Sequence, residues 1–179
     1  MKKSEIIKKI TLAGVLLGII LLMQGLKNIS GYIAGPAINA ALVIAALEVN
    51  LWCGIAFSLA TPALSLLLAP ASATTTMAYA TFGIITIIIM LGNIIYVLSA
   101  YMFRNKKPIY FVISLIFGVV AKWGFMWGFA TLTAQFFTIQ SQVLTKVFAI
   151  MQIATGAISI PIVFAVKLAV DKLRHRKAN

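Results

Sequence analysis

Long apolar runs alternate with short polar segments along the whole chain. The runs are longer than the apolar stretch of a typical buried core helix, and most are long enough to cross a bilayer. Strand-like alternation is absent from the sequence, so the spans should be helices that satisfy their own backbone hydrogen bonds. The sequence predicts six transmembrane helices, over residues 10–26, 36–49, 52–68, 79–103, 108–133 and 143–170. The second is short for a full span.

The polar segments between these helices predict three outer loops and a basic central loop. The outer loops cover residues 27–35, 70–77 and 134–142, and the central loop, 104–107, reads Arg-Asn-Lys-Lys. Pro108 suits the first turn of the fifth helix, where its missing N–H costs no helical hydrogen bond. The pattern therefore predicts an all-α integral membrane protein with a single six-helix domain over residues 1–179.

The distribution of charge predicts how these helices are oriented. The formal net charge is +12, and six crossings would place twelve of the fifteen basic residues at one membrane face. They lie in a basic N-terminal segment (1–9), in the central loop, and at the last helix and its basic tail (171–179). Because Lys and Arg are enriched in cytoplasmic loops, both termini should be cytoplasmic in a bacterial plasma membrane. Charge placed in this way does not indicate nucleic-acid binding.

The side chains that enzymes and metalloproteins need are scarce in this chain. Of 179 residues, 62% are hydrophobic and 10% are charged. The single histidine, His175, and the three acids Glu5, Glu48 and Asp171 all lie at or near the predicted cytoplasmic ends. No metal-ligand cluster, carboxylate pair or nucleophile–base arrangement can be built from them. We therefore expect neither an enzyme nor a bound cofactor or metal, and a proton-coupled carrier is disfavoured.

Four polar residues inside the predicted spans lie well above the cytoplasmic edge, three of them at one level. Counted from the cytoplasmic edge of a ~30 Å core, Lys122, Gln152 and Gln24 lie about 21 to 22 Å up. Asn93 lies at roughly 16 Å. If these faces converge, they form a chamber that opens outward. The alternative is that such residues only form hydrogen bonds between helices, each worth a fraction of a kcal/mol.

Lys122 is the strongest functional candidate, because a lysine in hydrocarbon costs at least about 2.5 kcal/mol and no acid lies at its depth. The competing interpretation is that it extends to the outer headgroups. Lys27 and Lys146 lie towards the outer face and would draw in an anion. Trp123 and Trp127 form an i, i+4 pair that fits either a ligand wall or an interfacial belt. The predicted substrate-binding residues are Asn93, Tyr96, Lys122, Trp123, Trp127, Lys146 and Gln152.

Several features together resemble one transporter family. They are the small size, the basic N-terminus, small residues spaced by four on the first helix, a Gly92-Asn93 pair, Lys122, and a Gln-x-x-Thr-Gly run from Gln152. The chain resembles the substrate-binding S component of an energy-coupling factor (ECF) vitamin transporter. The resemblance implies an outward pocket built from helices 4 to 6 and the outer loops. It also implies a membrane T component and two cytoplasmic ATPase subunits as partners.

The resemblance also indicates where the partner would dock. The family's first helix usually carries Ala-xxx-Ala, whereas Gly14 and Gly18 have that spacing here, beside Ala13. Small residues let another helix approach closely. The alternative is that both glycines pack the first helix within this protein.

The substrate class can be narrowed from the sequence. The start Met-Lys-Lys is unlike the Met-His start of cobalt and nickel S components. A thiamine-type cation would need acidic residues in the outer half. A neutral or anionic vitamin-like molecule therefore remains, with riboflavin, biotin, pantothenate, niacin and folate precursors all open. Two other classes also remain: a stand-alone permease, and a membrane scaffold without a ligand.

Overall fold

The computed structural model describes residues 3–137 and 141–178, with the backbone alone for residues 141 and 175–178. Residues 1–2 of the predicted basic segment, residues 138–140 of the predicted third outer loop, and the end of the basic tail lie outside the described side chains. The described part forms eight α-helices and contains no strand. The helices are α1 Lys3–Leu26, α2 Gly31–Ile44, α3 Leu51–Leu68, α4 Ala73–Ala80, α5 Ile84–Met102, α6 Pro108–Phe136, α7 Ser141–Leu144 and α8 Gln152–Ala178.

Two π-helical segments extend this set. Ala45–Val49 continues α2, and Thr145–Met151 joins α7 to α8. Six helical segments are long and apolar enough to cross a membrane. We number them spans 1 to 6: Lys3–Leu26, Gly31–Val49, Leu51–Leu68, Ile84–Met102, Pro108–Phe136 and Gln142–Arg174. The predicted all-α fold with six membrane-compatible helices is confirmed at this level.

Several predicted boundaries were wrong, and the first helix begins at Lys3 instead of residue 10. Span 2 begins at Gly31, so Pro36 lies inside the helix and the span has 19 residues. The predicted loop 70–77 instead contains most of α4, where the backbone N–H of Thr75 donates a hydrogen bond to the hydroxyl of the N-cap residue Ser72. The fourth predicted helix starts later than expected because Phe82 and Gly83 adopt φ angles of 49° and 87° and interrupt the helix before α5.

Span 2 lies at the centre of the bundle. It packs against spans 1 and 6 and also contacts spans 3 and 4. Its alanines permit close approach: a Cβ built on Gly54 of span 3 would lie 2.5 Å from the Cβ of Ala46. Only glycine lets these two backbones pack at this distance. The outward faces of the other spans carry exposed apolar side chains such as Ile10, Leu22 and Phe117, as expected for contact with lipid.

The two ends of the bundle differ in their polar contacts. At one end, Arg174 lies 2.6 Å from Glu48, and Lys167 pairs with Asp171 at 2.8 Å. We call this the basic end, since the described start of α1 and the central loop also lie there. At the other end, Lys27 donates a hydrogen bond to the hydroxyl of Ser65. We call this the cavity end.

Candidate functional site

A small cavity lies inside the bundle, near the cavity end. Its volume is about 70 Å³, which is room for about five water molecules. All six spans and α4 contribute to its wall, so the lining is not limited to helices 4 to 6 and the outer loops. The polar side chains that line it include Gln24, Lys27, Asn39, Asn93, Lys122 and Gln152. The inner cavity thus brings together the three residues expected at one level and Asn93, which was expected lower.

Lys122 is buried and directed into the bundle. Its side chain is 3% exposed, and its Nζ donates a hydrogen bond to Oδ1 of Asn39 at 2.7 Å. The Nζ atom also lies 5.9 Å from the ring centroid of Tyr96, within the range of a cation–π contact. This placement favours a role inside the bundle over extension to the headgroups.

Asn39 was missed by the sequence analysis. It is the only polar residue between Tyr32 and Glu48, the kind of lone polar residue in an apolar span that drew attention to Asn93. Its Nδ2 lies 3.4 Å from the hydroxyl oxygen of Thr155. The missed signal was therefore present in the sequence.

Lys27 brings a second basic group to the inner cavity. It lies just after α1 and donates to the Ser65 hydroxyl at 3.0 Å. Burial lowers the pKa of Lys27 from 10.5 to about 8, because removal from water disfavours the charged form. The structure describes all three acids of the sequence, and none of them lines this cavity. The two lysines therefore give it a positive character without a counter-ion.

Several groups at the inner cavity have free hydrogen-bonding capacity. Gln24 donates through Nε2 to the carbonyl of Thr61, but its buried Oε1 has no partner among the described residues. The side chains of Asn93 and Gln152 make no hydrogen bond within the described part of the chain. Uncharged donors and acceptors of this kind can orient a bound molecule.

A larger vestibule adjoins the inner cavity towards the cavity end. Its volume is about 470 Å³, and it shares Lys27, Gly31, Thr74 and Met151 with the inner cavity. Lys146 also lines it, with an exposed side chain. The vestibule has the volume typical of small-molecule pockets.

Towards the basic end, the bundle is packed with apolar side chains. The Tyr96 hydroxyl is hydrogen-bonded to that of Ser159 at 2.9 Å. Beyond this pair the buried core includes Leu42, Val97, Phe111, Leu115 and Val163. The polar lining therefore does not continue through the described part of the bundle.

The predicted site residues lie in three different places in the structure: the inner cavity, the vestibule, and outside both linings. Asn93, Lys122 and Gln152 line the inner cavity, and Lys146 lines the vestibule. Tyr96 lies beside Lys122 without contributing to either lining.

The two tryptophans lie outside both cavity linings. The Nε1 of Trp123 is buried without a hydrogen-bond partner among the described residues, and Trp127 packs beside the cluster around Met126. This placement gives no support to the ligand-wall interpretation.

The small residues of α1 face open space. Apart from the adjacent residues and the nearby backbone of α1 itself, no described atom lies within 4 Å of a Cβ built on Gly14 or Gly18. Ala13 beside them is half-buried. The alternative that the two glycines pack α1 within this protein therefore receives no support.

Comparisons with known protein families, with curated proteins and with solved structures found no significant match. Among the described residues, no cluster of three or more His, Cys, Asp or Glu side chains could hold a metal ion.

Proposed function

We propose that this protein is the substrate-binding S component of an ECF-type importer, and that it captures a small vitamin-like molecule from outside the cell. The observation that carries the proposal is the inner cavity, where Lys27 and Lys122 lie among uncharged hydrogen-bonding side chains with no acid in the lining. Such a site favours an anionic ligand, or a neutral one rich in hydrogen-bond acceptors. The sequence resemblance to S components supports the same function.

The proposed orientation places the cavity end outside and the basic end in the cytoplasm. Cytoplasmic segments are enriched in Lys and Arg, and six crossings would place twelve of the fifteen basic residues at one membrane face. Both termini are then cytoplasmic in the bacterial plasma membrane. The vestibule faces the exterior, where Lys27 and Lys146 attract an anion.

Different parts of the ligand occupy the inner cavity and the vestibule. The inner cavity of about 70 Å³ accepts a group of a few heavy atoms, whereas the vestibule of about 470 Å³ accommodates the rest of the molecule. The acidic or acceptor-rich group binds at Lys122, where Asn93 and Gln152 orient it. Lys146 contacts the outer part.

The packed apolar core disfavours a stand-alone permease, because a passive path would need polar groups through the whole bundle. Release to the cytoplasm then requires a partner that changes the arrangement of the helices. We assign this role to a membrane T component with two cytoplasmic ATPase subunits. Ala13, Gly14 and Gly18 form the docking face, since the two glycines have open space around them.

Direct binding to purified protein tests this proposal. Radiolabelled riboflavin, biotin, pantothenate, niacin and folate precursors are added one at a time, and ATPase subunits are sought among proteins that co-purify. We expect saturable binding of one compound. A protein that binds none of them and brings down no ATPase would instead fit a scaffold.

Lys122→Met then tests the site. It keeps the apolar stem of the side chain and removes the charge, so it should weaken binding roughly tenfold to hundredfold by titration calorimetry. Lys106→Met, in the loop at the basic end, is the matched control and should bind as the wild type does. Unchanged affinity in Lys122→Met would remove this residue from the site.

A further inference from the structure

Asn39 provides the hydrogen-bond acceptor for Lys122, and the two side chains are both buried. Asn39 is 4% exposed and Lys122 is 3% exposed. The Nζ–Oδ1 distance of 2.7 Å is short for a hydrogen bond to a neutral amide. A buried lysine in a membrane span commonly finds an acidic partner, but here the partner carries no charge.

The orientation of the Asn39 amide follows from its other contact. Thr155 donates its hydroxyl proton to the carbonyl of Met151 at 2.8 Å, so its oxygen accepts from Nδ2 of Asn39. This leaves Oδ1 facing Lys122. The packing is tight, since a Cβ on Gly35 would lie 2.5 Å from Cγ2 of Thr155. The amide is therefore held in one orientation.

The acids of this chain are engaged elsewhere or lie far along the bundle. Glu48 pairs with Arg174, and Asp171 pairs with Lys167, both at the basic end. Glu5 lies in the first turn of α1. The charged group that faces Lys122 across the inner cavity is Lys27, of the same sign.

We propose that Asn39 determines the charge preference of the inner cavity: its amide positions Lys122 without neutralising it, so that the cavity accepts an oxyanion such as a carboxylate or a phosphate. A carboxylate at position 39 would form an ion pair with Lys122 and cancel the charge that attracts the ligand. This inference rests on the proposed role as a ligand-binding subunit and narrows that role to ligands with an oxyanion group. Asn39 is a positioning residue that acts through Lys122.

The test compares Asn39→Asp and Asn39→Leu with the wild type in detergent. The probes are sodium acetate and inorganic phosphate, each exchanged against chloride at constant ionic strength. The readout is the thermal unfolding midpoint, which rises with the concentration of any ligand that binds the folded state. Asn50→Asp is the matched control: it makes the same chemical change at the exposed N-cap of α3, where aspartate is an equally good cap.

The wild type and Asn50→Asp should be stabilised by at least one of the two anions. Asn39→Asp should show apparent anion binding roughly tenfold to hundredfold weaker, whereas Asn39→Leu should keep a measurable response because Lys122 retains its charge. If Asn39 only held Lys122 in place, the order would reverse, since aspartate keeps the hydrogen bond and leucine removes it. That reversed order would overturn the proposal. If Asn39→Asp fails to fold, the Asn39→Leu variant is sufficient: loss of its anion response would overturn the proposal.

A lipid headgroup could supply the same oxyanion. Titration with phosphatidylglycerol micelles separates the sources: stabilisation by the lipid that soluble phosphate or acetate does not reproduce would overturn binding of a soluble ligand. A wild type that ignores both anions but binds one of the vitamins would overturn this inference and leave the proposed function standing. A wild type that responds to anions but binds no vitamin would overturn the proposed function and leave the charge preference of the inner cavity standing.

Discussion

At the scale of single residues, the inner cavity is defined by positive charge that the protein does not balance. Lys122 has a neutral amide as its partner, and Lys27 donates to a hydroxyl. Burial of a cation without a counter-ion costs free energy of folding. A ligand with an oxyanion group supplies the missing charge and recovers part of this cost on binding. The same burial that destabilises the protein without ligand therefore strengthens the binding of an oxyanion.

The lowered pKa of Lys27, about 8, predicts two opposite pH dependences. Binding of acetate, which stays a monoanion throughout, should weaken as the pH rises through about 8 and Lys27 loses its proton. The free energy of unfolding without ligand should instead rise between about 8 and 10.5, because the unfolded state binds more protons there. Calorimetry and denaturant titration across this range measure the two effects.

Lys27→Met should reduce both pH effects, since it removes one of the two buried amines that line the cavity and leaves Lys122 in place. Lys146→Met, at the exposed edge of the vestibule, is the control and should keep them. A pH profile shared by the wild type and Lys27→Met would show that another group is responsible.

Depth along a helix could be predicted from the sequence, whereas rotation about its axis could not. Because each residue rises a fixed distance, counting placed Asn93, Lys122 and Gln152 at compatible heights, and the structure brings them to one cavity. Which face of a helix meets the cavity depends on packing with its neighbours. For this reason the sequence left open whether the two tryptophans face a ligand or the lipid interface, and the structure places them outside the lining of the inner cavity.

At the scale of elements, α1 differs from the central span. Its glycines have no described neighbour within 4 Å, and it buries Leu16, Ile20 and Gln24 along one narrow face. Span 2, by contrast, is buried on nearly all sides. A helix with an open, small-residue face at the edge of a bundle is suited to contact with another membrane helix.

Replacing both Gly14 and Gly18 with Leu should abolish transport and leave ligand binding intact. Close approach of a partner helix is lost, but no described side chain is displaced, and leucine favours a helix more than glycine does. Uptake by cells that contain the ATPases and calorimetry on the purified variant measure the two properties.

Gly124 and Gly128 of α6 provide the matched control, because they have the same spacing and the same open surroundings. Their double replacement with Leu should preserve transport. Equal loss of uptake in both double variants, or none in the first, would contradict docking through α1.

The elements missed from the sequence have local physical causes. The segment that contains α4 is rich in Ser and Thr, which have modest helix propensity, so it was read as a loop. Its helix depends on the Ser72 cap and on contacts with spans 3 and 4. The π-helical segments cannot be distinguished by hydrophobic periodicity, because a single π turn shifts the register without changing composition.

At the scale of the whole molecule, the two ends have different chemistry. The basic end contains the ion pairs of Glu48 and Asp171. Lys167 lies over the ring of Phe111, which places the start of α6 and the central loop at that same end. The cavity end instead presents the vestibule and its hydroxyl groups. The proposed orientation, which rests on the distribution of basic residues, would place the basic end in the cytoplasm.

Cysteine labelling tests that orientation. In a Cys53→Ala background, a cysteine in place of Asn105 lies in the exposed central loop at the basic end, and a cysteine in place of Asn28 lies at the exposed rim of the vestibule. A membrane-impermeant maleimide added to intact cells should modify the variant at position 28 and leave the one at position 105 unmodified until the membrane is opened. Labelling of position 105 in sealed cells requires the central loop to lie outside the cell. Strong labelling there would therefore mean that the cavity faces the cytoplasm. The proposed capture of an external ligand would then fail, even if the purified protein binds it.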